Sequence, residues 1–116
     1  MSPVTAFLTR SPLLGLVLLG LVAAPAFAEP LTSLEERGRH ALETRCSRCH
    51  AIGADGASPH AEAPPFREII TRYPPESLEE SLGEGIVSGH PDMPEFILSP
   101  DEIEGVIAYL HTLDGK

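Results

Sequence analysis

The chain has 116 residues, 42% of them apolar, and 17 acidic side chains against 8 Lys and Arg give a formal charge of −9. An acidic balance of this size argues against nucleic acid and anionic membrane surfaces as partners, because both would repel it. With only two cysteines, a disulfide-rich scaffold is excluded as well.

Arg10 gives a positive start, Pro12 to Ala24 is an almost unbroken apolar run, and Ala26-Phe27-Ala28 puts small residues at the two positions a signal peptidase reads. Residues 1–28 therefore read as a secretory signal peptide, cleaved after Ala28. The apolar run is shorter than the about 20 residues a bilayer span needs, which disfavours the competing reading as an uncleaved anchor. One exported, periplasmic domain over residues 29–116 is expected, with no stable membrane insertion. So small a domain buries a limited core, and a covalently held cofactor would make up the shortfall.

Ser33-Leu34-Glu35-Glu36 has the form of a capping box, Ser with Glu three residues on. The helix it predicts runs to Cys46, with Leu34, Gly38, Ala41 and Leu42 on one stripe and Glu35, Glu36, Arg39 and Glu43 facing away. Gly38 costs such a helix roughly 1 kcal/mol relative to Ala, a cost that close approach by a second helix would justify.

Cys46-Ser47-Arg48-Cys49-His50 follows, the C-x-x-C-H signature of covalent haem attachment. At the end of a helix, positions i, i+3 and i+4 share one face. Both thiols can then add to haem vinyl groups while the imidazole reaches the iron. A thioredoxin-like redox pair would need a βαβ pattern, which is missing here. A structural zinc site would need four ligands, and there is no second C-x-x-C.

Ala51 to Pro65 reads as a loop, from Gly53, Gly56, Pro59, Pro64 and Pro65. Phe66 to Tyr73 can form a short helix stopped by Pro74-Pro75, and Glu76 to Leu82 another, ended by Gly83 and Gly85. An irregular stretch, Ile86 to Phe96, contains Met93, the only methionine besides Met1. Prolines 91 and 94 restrict the backbone around it. A thioether opposite an imidazole would raise the iron potential and close the site, so Met93 is the expected sixth ligand. His90 is its competitor and would give a lower-potential iron. His60 and His111 read as surface residues. The final helix is predicted from Ser99 as cap, Pro100 in the first turn and Asp101 with Glu102 at the positive end of the dipole. Its apolar stripe is Ile103, Val106, Ile107, Leu110 and Leu113. No alternating strand appears, so the fold class is all-α with long loops.

These residues together resemble the small class I cytochromes c, monohaem bacterial electron carriers, over essentially the whole mature chain. Cys46-Ser47-Arg48-Cys49-His50 fits the family's haem motif, and Ser88-Gly89-His90-Pro91-Asp92-Met93-Pro94 looks like its methionine loop. The resemblance implies a cytochrome c fold, with N- and C-terminal helices crossing where Gly38 and Leu42 meet Val106 and Tyr109. It implies one covalent haem c on Cys46 and Cys49, with His50 and Met93 on the iron. It also implies a proline carbonyl accepting a hydrogen bond from the proximal histidine. Ala63-Pro64-Pro65-Phe66 is the matching stretch and Pro64 the expected residue, although Ala63 stands where the family usually has Gly and Pro65 is the alternative.

The function implied is single-electron transfer, with no catalytic constellation of the chain's own. Its partners would be redox proteins docked transiently, with a basic face, on a monomeric carrier. Two other readings remain open: a haem enzyme or gas-binding protein with a free sixth position, and a dedicated subunit of a periplasmic dehydrogenase or oxidase.

Overall fold

Helix α1, Ser33–Arg45, is capped one residue earlier than the sequence predicts. Thr32, not Ser33, holds the capping box: Glu35 N donates to Thr32 Oγ1 at 3.3 Å, and Thr32 N donates to Glu35 Oε2 at 2.6 Å. Thr32 and Ser33 both have a Glu three residues on, so packing decides. The observed start lets Leu31 pack against the core and frees Glu36 to pair with Arg39 at 2.7 Å. The computed structural model describes residues 30–86 and 90–115. The signal peptide expected over residues 1–28 lies outside the described residues, as does the Ser88-Gly89 part of the methionine loop.

Helix α2 spans Phe66–Arg72 and ends at Tyr73, before Pro74-Pro75, as the steric bias against helical backbone before a proline requires. The single helix predicted over Glu76 to Leu82 is two pieces, a 3₁₀ turn over Pro75–Leu78 and helix α3 over Glu79–Glu84. Gly83 lies inside α3, and the helix stops only at Gly85, whose φ of 104° is open to glycine at little cost. Helix α4, Pro100–His111, carries a full capping box between Ser99 and Glu102. Among the described residues every regular element is helical.

Crossing of α1 and α4 organises the chain. A Cβ on Gly38 would fall 1.8 Å from the Gly105 carbonyl oxygen and 2.5 Å from Val106 N, and one on Gly105 would fall 2.8 Å from Gly38 N. The helices touch backbone to backbone, which accounts for Gly38 and adds Gly105, a partner the sequence reading did not single out. Leu42, Val106 and Leu110 are sealed at this crossing, with Ala41, Ile103, Tyr109 and Leu113 around them. Phe66 and Ile70 of α2, Leu82 of α3 and Leu98 complete the core. The ion pair of Arg45 with Glu102 at 3.2 Å and the contact of His111 Nε2 with Glu76 Oε1 at 2.5 Å bind the periphery.

Candidate functional site

The C-terminal end of α1 delivers the cysteine motif to the edge of this core. Cys46 N donates to Leu42 O at 2.8 Å, then Cys49 N and His50 N both donate to Cys46 O at 3.0 and 2.9 Å. The backbone thus coils one further turn, bringing Cys46, Cys49 and His50 together. Both cysteines are half-buried free thiols. Burial pushes the Cys46 thiol up to about 11, with Cys49 adding to the effect and Arg45 opposing it. A redox-active thiol pair needs the opposite shift, toward thiolate. Nor do any three described His, Cys, Asp or Glu side chains converge as a metal cluster would need.

His50 has a fixed orientation. Its Nδ1 lies 2.7 Å from the Pro64 carbonyl, and because a carbonyl only accepts, Nδ1 carries the hydrogen and Nε2 keeps its lone pair. The ring also packs against Phe66, with centroids 5.3 Å apart. Of the two candidate prolines the contact falls on Pro64. The Pro65 carbonyl is engaged instead by Glu68 N and Ile69 N at 2.9 and 3.1 Å, where α2 starts.

Pro64 is held by a network across the loop. Phe66 N donates to Ala51 O at 2.9 Å, His60 N to Cys49 O at 3.1 Å and Ala63 N to His60 O at 3.1 Å. Ala51 N donates to Ser58 Oγ at 3.0 Å. Tyr109 Oη donates to Ile52 O at 3.0 Å, tying the loop to α4.

Met93 is half-buried and lies in a turn that its N–H closes onto His90 O at 3.2 Å. The His90 side chain is exposed, with Nδ1 3.8 Å from Glu62 Oε2.

Two features fit a large apolar group with an anionic edge. Ile52, Ile69, Leu78, Ile86 and Phe96 are only partly buried where they pack against the core, leaving apolar surface that a macrocycle would cover. Arg67 Nη1 is buried with no hydrogen-bond partner while Nη2 donates to Gly56 O at 2.7 Å. An orphaned guanidinium donor suits a carboxylate. Arg67 and the Ile52 carbonyl both escape a sequence reading, since neither lies in a motif.

Fold and site together define a small all-α protein that attaches haem through C-x-x-C-H. The family model for Cytochrome c matches residues 35–114, and the chain belongs to the cytochrome c family. Covalent haem c, to which Cys46 and Cys49 are suited, and a haem-based role in electron transfer come with that membership. Searches of curated proteins and of solved structures return no significant match.

Proposed function

We propose that the protein is an exported, periplasmic carrier of single electrons of the bacterial class I type, with its iron held between His50 and Met93. The observation that carries this reading is the His50 ring, locked by Pro64 with its Nε2 lone pair free beside two unpaired thiols. When bound, the haem supplies one iron that cycles between ferrous and ferric states. Cys46 and Cys49 anchor it by thioethers. Pro64 fixes the imidazole and, by accepting its Nδ1 hydrogen, makes His50 a stronger donor to the metal. Met93 would be the second protein ligand to the iron and would keep small molecules from it, which suits electron transfer rather than a catalytic role. Arg67, whose Nη1 is buried without a partner, would meet a carboxylate of the haem.

Export is supported by the leader pattern over residues 1–28, and among the described residues no helix is long and apolar enough to cross a membrane. The partners are redox proteins with a basic face that dock transiently on a monomer. No Lys or Arg lies between Arg72 and Lys116, while Glu76, Glu79, Glu84, Glu95 and Glu104 all fall there. The stretch that contains Met93 is thus uniformly acidic and steers positive surfaces toward it.

The test is the absorption spectrum of the oxidised holoprotein and of its Met93→Ala variant. A low-spin c-type spectrum with the weak long-wavelength methionine–iron band, lost in the variant, is expected. A low-spin spectrum without that band would move the sixth ligand to His90. A high-spin spectrum would mean an open iron, and the carrier reading would give way to an enzyme or gas-binding one.

A further inference from the structure

The loop that ends in Pro64 and the loop that carries Met93 face each other in antiparallel register. His60 Nε2 lies 3.6 Å from Asp92 Oδ2, and His90 Nδ1 lies 3.8 Å from Glu62 Oε2. Each loop contributes one histidine and one carboxylate two residues apart, His60-Ala61-Glu62 and His90-Pro91-Asp92. Reversal of chain direction sets each imidazole opposite the other loop's acid. Backbone hydrogen bonds tie both histidines into the site, His60 N to Cys49 O at 3.1 Å and Met93 N to His90 O at 3.2 Å. Glu62 N also donates to His60 Nδ1 at 3.3 Å. The hydrogen of that ring therefore sits on Nε2, the atom that faces Asp92.

We propose that His60, Glu62, His90 and Asp92 form a two-pair clasp that positions Met93, so that a contact between the two loops sets how firmly the thioether holds the iron. The proposal rests on Met93 being the sixth ligand. These are positioning residues, acting on the iron only through the loop. Their side chains are 36% and 70% exposed in one pair and 51% and 67% in the other. Each pair alone is weak for that reason. Yet a ligand carried on a loop leaves the metal whenever the loop opens, so even a small bias in the opening equilibrium is read in full at the iron. Crossed pairing also fixes register. Sliding either loop by two residues would set His against His or acid against acid.

The test titrates oxidised holoprotein with imidazole, which takes the sixth position only when Met93 leaves it. His60→Glu sets a carboxylate against Asp92 and raises the apparent imidazole affinity about threefold, more at low salt. Adding Asp92→Arg sets opposite charges across the contact, and the affinity returns to the wild-type value or below. If His60→Glu changes nothing, or if the double variant binds imidazole as tightly as the single, the clasp is overturned. Hydrogen exchange at the Met93 amide of the same proteins follows loop opening without reference to the iron. A wild-type spectrum lacking the methionine–iron band would sink the ligation reading on which the proposal rests. Coupling between the two substitutions in the exchange rates would then still uphold the contact between the loops, and its absence would remove that too.

Discussion

His50 stands on a chain of hydrogen bonds that leads back to the crossing of α1 and α4, whereas Met93 stands on a turn closed at His90 and on exposed histidine–carboxylate contacts. On the first side the imidazole meets Pro64, the Pro64 loop meets Tyr109 through Ile52, and Tyr109 lies on α4 among the buried residues that seal α1. Moving His50 would disturb the core itself. On the second side, Phe96 packs against the core three residues beyond Met93, and Leu98 N donates to Leu82 O at 2.9 Å two residues later. Displacing Met93 would cost only local contacts. On the proposed ligation by Met93, the hold of the sixth ligand, and with it the potential, could vary without risk to the fold.

The comparison can be broken most severely at its stiff side. Gly38→Ala puts a methyl group where the Gly105 carbonyl already lies. The obstacle is backbone, so no rotamer change relieves it, and the gain in helix propensity is overwhelmed. A loss of about 3 kcal/mol in unfolding free energy is expected, read from the denaturant midpoint of the holoprotein. Tyr109→Phe is milder. It keeps the ring in the core and removes only the hydrogen bond to Ile52 O, for about 1 kcal/mol in the same assay.

The smallest effect sharpens the picture of α4. Hydrogen bonds from Ser99, with Arg45 alongside, hold the Glu102 carboxyl below the usual carboxylate range. Its folded pKa lies under its unfolded one, so this contribution is complete above the unfolded value of about 4.3. It is lost as pH falls through the folded value. Hydrogen exchange in the first turn of α4 should accelerate over that acid range. Glu102→Gln, which can still close a capping box, should abolish the pH dependence.

What could be read from the sequence was whatever lies close along it. Ser99, Pro100, Asp101 and Glu102 specify the start of α4 within four residues, and the structure begins the helix there. Cys46, Cys49 and His50 owe their grouping to a single turn. The cap of α1 was misplaced by one residue because Thr32 and Ser33 offer the same local chemistry and only packing of Leu31 separates them. The 3₁₀ turn at Pro75 and the late end of α3 at Gly85 turned on backbone geometry that Gly83 and Gly85 leave ambiguous in sequence. Gly105, Arg67 and the pairing of His60 with Asp92 were invisible. Each has its meaning only against a residue far along the chain.

Native-state hydrogen exchange on the oxidised holoprotein tests the central contrast most directly. Amides of Cys49 and His50 should exchange only with the global unfolding that also exposes α1 and α4. The Met93 amide should exchange through a local opening at least about tenfold more populated. Equal protection of His50 and Met93 would contradict the account, because both residues would then be held by the same cooperative unit.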